Sequence, residues 1–190
     1  VSAWSSAQTW EALWWGAAPG ERWAAEIEKQ RAYAELMGMP ADLDFGDRRI
    51  VDFGCGPVSL LLRSTHGPSI GVDPLPIVAM RADVFQQAGA AVLSMKAEDA
   101  HLFGFDEAWS YNVLQHVDDP AAVLRNIAAS ARSVRLFDWL DVGTGPGHPH
   151  NLTEQLFADA FAGWTRVRWV TGRLDGELLH GRYIAAHLTI

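Results

Sequence analysis

The chain has only one cysteine, Cys55, so no disulfide framework can form within it, and a reducing cytoplasm is the expected compartment. Positive charge is also scarce. Fifteen Lys and Arg stand against 23 Asp and Glu, and the formal net charge of -8 argues against a broad nucleic-acid surface. No apolar run reaches the length of a membrane span, and no basic region followed by an apolar signal core opens the sequence. No Cys/His cluster has zinc-site spacing, so no metal is expected. Repeats and low-complexity segments are absent. What is present, 190 residues of which 49% are hydrophobic and 20% charged, is the composition of a soluble globular domain with its own core. A single domain is expected over 1–190, with a small molecule or a protein as partner. A homodimer is left open.

The stretch from Arg49 to Leu62 organises the rest. Ile50, Val51 and Phe53 read as a short buried strand, Gly54-Cys55-Gly56 as a tight turn of bare backbone, and the run from Val58 to Ser64 as a helix. A nucleotide-like ligand fits such a turn. Asp52 at the strand end selects among ligands, because a pyrophosphate on the helix N-terminus would meet a carboxylate there. The dinucleotide fingerprint also wants a third glycine where this chain has Ser59. A cationic ligand without phosphate is the better match. One βα unit later, Ser69-Ile70-Gly71-Val72-Asp73-Pro74 reads as a second strand ending in an acid, at the spacing where an acid accepts ribose hydroxyls.

The segment Val51-Asp52-Phe53-Gly54-Cys55-Gly56 resembles the first motif of class I S-adenosylmethionine-dependent methyltransferases. The stretch Phe105 to Pro120 is similar to the fourth-strand motif of the subfamily that includes quinone-biosynthesis enzymes. It has a Phe-Asp entry, Ser110 near the strand end, Val113-Leu114-Gln115-His116-Val117, and an acidic-Pro start to the next helix. The resemblance covers roughly residues 45 to 140. It implies an α/β, Rossmann-like doubly wound seven-stranded sheet with a C-terminal antiparallel hairpin and an N-terminal helical cap. The implied cofactor is S-adenosylmethionine, with S-adenosylhomocysteine as product, and the implied acceptor is a small molecule methylated on O, N or C. Asp52 would then hold the methionine ammonium directly or through water, and Gly54, Cys55 and Gly56 would give close backbone approach. Asp73 and Pro74 would meet the ribose, Ala97 and Glu98 the adenine, and Tyr111 and Asn112 would sit beside the methyl donor. The chain departs from the family at Lys96, where an acid is frequent, and at Ser130-Ala131-Arg132-Ser133, where many relatives carry a Lys-Pro-Gly-Gly-like turn.

Residues 1–47 read as a cap. Five of the nine tryptophans fall in the first 23 residues, and Trp10, Leu13, Trp14 and Ala17 share a helical stripe after a Ser5/Gln8 capping box. A second helix spans Glu21 to about Met37. Trp14 and Trp15 are candidates to wall a substrate pocket, since indole faces suit aromatic or cationic groups. In the core, 48–190, further helices are expected over 76–88, from Pro120 to Ala131 and from Thr153 to about Phe161. Strands are expected at Ala90–Leu93, Val134–Leu140, Thr165–Thr171 and Tyr183–Leu188. The Gly/Pro-rich loop 143–151 carries His148 and His150 to the mouth of the site. If the chemistry needs a base, His116, His148 and His150 are the candidates. Three rivals remain: a cofactor-binding protein without catalysis, a nucleic-acid methyltransferase, and a nicotinamide-dependent oxidoreductase. The second lacks a basic surface and an Asn/Asp-Pro-Pro-aromatic motif, and the third is disfavoured by Asp52 and Ser59.

Overall fold

A computed structural model describes residues 3–16 and 19–190. Two helices, α1 (Ala3–Gly16) and α2 (Pro19–Leu36), precede a sheet whose first strand, β1 (Ile50–Phe53), is buried at every position. Strands β2 (Ser69–Val72) and β3 (Ala90–Leu93) add in parallel on one side of β1, and β4 (Phe105–Tyr111) and β5 (Ala131–Leu140) on the other. The last two strands, β6 (Thr165–Asp175) and β7 (His180–Thr189), form a hairpin whose β7 edge pairs antiparallel with β5. The order is β3-β2-β1-β4-β5-β7-β6. Chain direction across the sheet reverses between β1 and β4, and the crevice at their carboxyl ends is where such sheets bind ligands.

Both faces of the sheet are covered, which is why its parallel strands are nearly continuous apolar runs. Val51, Phe53, Ala108 and Leu136 pack beneath α5 (Pro120–Ser130) and α6 (Glu154–Ala160), whereas Ile50, Trp109 and Phe137 pack toward Tyr33, Ala34 and Met37 of the α2 region. The end of α2 is fixed to the sheet by cations. Arg135 donates to the Met37 carbonyl at 3.0 Å and Arg168 to the Leu36 carbonyl at 2.6 Å, so carbonyls that the helix leaves unpaired receive positive partners. Arg135 is itself balanced by buried Glu107 at 2.6 Å.

Several boundaries differ from the sequence expectations for local reasons. The helix expected from Val58 to Ser64 is a single 3-10 turn, Leu60–Arg63. Only five residues separate its end from β2, and Gly67-Pro68 lie among them, so there is no room for more turns. The helix expected over 76–88 is two short ones, α3 (Pro76–Ala79) and α4 (Ala82–Gln87). Strand β5 begins at Ala131, directly after α5, with no connecting turn. The closing hairpin is longer than expected and leaves only residues 176–179 between its strands. Ser5 lies inside α1 and is not its cap, and Ala17 of the expected stripe falls outside the described residues.

Candidate functional site

The turn after β1 is confined to glycine. Gly54 has φ +72°, and a Cβ there would stand 2.4 Å from a Val113 methyl, so the β1 turn and the segment after β4 touch backbone to side chain. Above this contact lies a chamber of about 100 Å³ at the carboxyl ends of β1, β2 and β4. Its floor includes Gly54, Cys55, Gly56, Asp73, Pro74 and Tyr111; its far wall includes Ala97 and Glu98. Helix α1 forms the roof through Trp4, Gln8, Glu11 and Trp15. A second chamber of about 370 Å³ adjoins it, and Glu11, Trp15, Glu26, Tyr33, Asn112 and His116 border both. Asn112 sits at this junction in the left-handed region, φ +59°, which Asn tolerates better than most residues.

The electrostatics of the first chamber are lopsided. Glu11, Glu26, Asp73 and Glu98 line it, with Lys96 as its one lysine or arginine among the described residues. Lys96 is committed to Asp118 at 3.3 Å and lies over the Trp4 ring at 3.6 Å. Asp73 accepts from Gly56 N and Leu75 N at 2.9 Å each, one bond to each oxygen, so each oxygen keeps a free acceptor position. Burial pushes its carboxyl up to about 6 despite those two bonds. Burial likewise pushes Glu11 up to about 7. Cys55 is fully buried and its thiol is pushed well up, so it serves as packing under the turn.

Asp52 is fully buried and does not line either chamber. One of its oxygens accepts from Ser59 Oγ at 2.6 Å and Tyr111 Oη at 2.7 Å; the other, Oδ1, is buried without a partner. Burial raises its carboxyl to about 7. Tyr111 in turn accepts from Leu60 N at 2.9 Å, so the carboxylate braces the turn from below. The carboxylates that do line the first chamber are those of Glu11, Glu26, Asp73 and Glu98. Glu98 lines the wall, and its carboxylate accepts from Asp118 N and Asp119 N at 2.6 and 3.1 Å.

The three histidines separate. His116 borders both chambers, with both ring nitrogens engaged: Nδ1–H donates to the Gly147 carbonyl at 2.7 Å, and Nε2 accepts from Gln115 Nε2 at 3.2 Å. Burial pushes its pKa down to about 4, so the ring is neutral near pH 7. His148 lines the second chamber, edge-on to His116 at 4.8 Å. His150 pairs with the Asp118 carbonyl at 3.0 Å and lines neither chamber. Of the tryptophans, Trp15 lines both chambers and Trp14 the second, with the Arg22 guanidinium 4.3 Å from the Trp14 ring centre.

Sequence reasoning missed four residues that build this site. Glu11 and Glu26 are acids on the inward faces of α1 and α2, and Glu26 is buried, a polar break in a packed helix face that signals a cavity. Asp138 accepts from Val113 N, Leu114 N and Trp139 N at 3.2, 2.8 and 3.0 Å, fixing the turn that presents Asn112 and His116. Asn126 donates to the Ala97 and Glu98 carbonyls at 2.9 and 2.7 Å and holds the far wall. Among the described residues no group of three or more His, Cys, Asp or Glu is placed to hold a metal, and no helix is long and apolar enough to cross a membrane.

No protein-family model matches the chain, and no curated protein matches it in sequence. Solved structures do match. The magnesium protoporphyrin IX methyltransferase ChlM of Synechocystis PCC 6803, with bound SAH, superposes with a TM-score of 0.67 at 15% identity, over 95% of this chain and 99% of that one. The N-methyltransferase NodS of Bradyrhizobium japonicum WM9, in complex with S-adenosylhomocysteine, gives 0.62 at 15% identity over 92% and 89% of the two chains. The [4+2]-cyclase SpnF gives 0.62 at 16% identity over 84% and 80%. At these identities the likeness is one of fold: the chain has the Rossmann-like fold of these proteins, here with seven strands.

Proposed function

We propose that the chain is an S-adenosylmethionine-dependent methyltransferase acting on a small-molecule acceptor. The observation that carries this reading is the acid-lined chamber over a bare glycine turn at the β1/β4 switch point, whose one lysine or arginine among the described residues, Lys96, is paired with Asp118. S-Adenosylmethionine offers an ammonium, a sulfonium and no phosphate, and so suits such a wall. When bound it supplies an activated methyl group. The chain's own residues then divide the work. Asp73 uses its free acceptor positions for ribose hydroxyls, the 97–98 backbone and Pro74 flank the base, and Asn112 stands where the two chambers meet. The second chamber holds the acceptor. Placing nucleophile and methyl in line supplies much of the acceleration by proximity alone. His116, neutral and tied at both nitrogens, is a positioning residue in this scheme. The fold neighbours with S-adenosylhomocysteine bound support the cofactor class, while a cyclase with the same fold is a reminder that fold does not select the reaction.

The first chamber alone is smaller than the roughly 300 Å³ at which small-ligand sites begin. In this reading α1 swings outward to admit the cofactor and closes over it with Trp15. Incubation with methyl-labelled S-adenosylmethionine and a panel of small hydroxyl, amine and carbon acceptors tests the reaction. Label in an acceptor, matched by S-adenosylhomocysteine formed, is the expected result. Cofactor binding with no product across the panel would favour a cofactor-binding protein without catalysis.

A further inference from the structure

The hydrogen-bond pattern around His116 settles the chemistry of the second chamber's inner wall. Because Nδ1–H is spent on the Gly147 carbonyl, Nε2 carries the lone pair and requires a donor. Gln115 Nε2 is that donor, and it also donates to Asn112 Oδ1 at 2.9 Å. The amide is thereby fixed in one orientation. Its other end, Oε1, is buried with no partner, on a side chain that is 1% exposed and lines the second chamber. An acceptor oxygen left this way is destabilising until a donor arrives.

Two carboxylates, Glu11 and Glu26, line the same chamber. Glu26 is answered by Lys29 at 2.6 Å, but the nearest ring nitrogen to Glu11, His116 Nδ1 at 3.3 Å, belongs to a neutral imidazole. Glu11 faces Glu26 on α2, His116 on the turn after β4 and His148 on the 143–151 loop, with a Trp15 bond on its own helix. None of these groups supplies it with a cation at neutral pH. The chamber also has a set of aromatic faces, Trp10, Trp14, Trp15, Tyr33 and Trp139, with Leu178 and Leu179 beside them and Lys29 paired to Glu26. Aromatic faces and unanswered acceptors together describe a receptor for a cation with an apolar body.

Resting on the methyltransferase reading, we infer that the acceptor is an amine carried on an aromatic or apolar body, and that Glu11 takes its proton. The ammonium enters with N–H donors for Gln115 Oε1 and charge for Glu11. Glu11 removes one proton, and the freed nitrogen lone pair forms the bond to the methyl carbon as the sulfur–methyl bond breaks and its electron pair stays on sulfur. The product leaves as an N-methylammonium, and Glu11 returns its proton to water. An acid pushed up to about 7 by burial is matched to that exchange near neutral pH.

The test uses protein saturated with S-adenosylhomocysteine and four probes: 2-phenylethylamine and tryptamine, and their hydroxyl counterparts 2-phenylethanol and tryptophol. By calorimetry at about pH 8, each amine is expected to bind at least roughly tenfold more tightly than its alcohol. Glu11→Gln abolishes that preference and Glu11→Asp retains part of it, with S-adenosylhomocysteine affinity changed less than the preference in both. Equal affinity within each pair, binding of neither class, or a Glu11→Gln variant that loses S-adenosylhomocysteine as strongly as it loses amines would overturn the inference. Failure of S-adenosylhomocysteine to bind at all would instead sink the methyltransferase reading, and the same four probes on the unliganded protein would still decide what the chamber prefers.

Discussion

The sheet edge beneath the chambers is paired and buried, whereas in α1 above them only Ala7 is buried and Trp10, Leu13 and Trp14 are exposed. On the floor, Asp52, Ser59, Tyr111 and Leu60 form a closed set of hydrogen bonds, and Asp138 holds three backbone N–H groups. The roof presents Glu11 and Trp15 from a helix whose neighbour α2 is fixed to the sheet at its far end, through Arg135 and Arg168. Stability is concentrated in the floor, while the roof lends side chains to both chambers from a helix with little buried surface of its own. Changes to the two regions should therefore separate in what they alter.

The largest stability effect is expected on the floor. Asp138→Ala strips the acceptor from three amides, two of which open the turn carrying His116, and should cost about 3 kcal/mol in urea unfolding. Trp15→Ala should do the reverse: S-adenosylhomocysteine affinity falls roughly tenfold while unfolding free energy moves by less than about 1 kcal/mol. A loss of stability as large as that of Asp138→Ala would erase the contrast between roof and floor.

pH offers a subtler probe. Burial raises Asp52 and Asp138 from 3.8 to about 7, Asp73 from 3.8 to about 6 and Glu11 from 4.5 to about 7. The folded chain thus binds more protons than the unfolded one between those limits, and these groups make stability fall as pH rises through the window. His116, lowered from 6.5 to about 4, acts in the opposite sense, as do His148 and His187, which are also lowered. In the unfolded chain the histidines titrate near 6.5 and are neutral in both states only above about pH 7.5, so below that they blunt, without cancelling, the fall set by the carboxyls raised to about 7. The melting temperature should therefore decline from about pH 6.5 to 8 and level off above that. Asp52→Asn should flatten part of the decline. A rising profile would contradict the burial of these acids. The smallest effect is expected at His150, whose contact lies outside both chambers: His150→Ala should leave S-adenosylhomocysteine affinity and stability within about 0.5 kcal/mol.

Much of the floor was legible in the sequence because strands and turns announce themselves locally. The Gly54-Cys55-Gly56 turn, Asp73 at the end of β2, Ala97, Glu98, Tyr111 and Asn112 converge on one chamber, as their place at strand ends implies. The order of the strands followed from the resemblance, since no local pattern states which strand neighbours which. The roof was harder to read. The stripe Trp10, Leu13, Trp14 is apolar enough to suggest a core face, yet these side chains remain exposed, and Glu11 turns inward. Apolar periodicity identifies the inner face only when the space beneath is filled, and here it is a cavity. Asp52 shows a related limit. The sequence sets Asp52 against the ligand, whereas in the fold it lines neither chamber, because Ser59 and Tyr111 hold its carboxylate beneath the turn. Asp138 and Asn126 gave no signal because their partners, backbone groups and the His101 ring, lie on other elements, none nearer in sequence than 24 residues apart from Trp139.

The most direct test of the central claim is a calorimetric titration of purified, ligand-free protein with S-adenosylmethionine, S-adenosylhomocysteine and, as the phosphate-bearing control, NADH. Micromolar binding of both adenosyl ligands, roughly -8 kcal/mol, with no heat from NADH is the result the acid-lined chamber predicts. Binding of NADH alone would contradict it, because a pyrophosphate would then have found a place among Glu11, Glu26, Asp73 and Glu98.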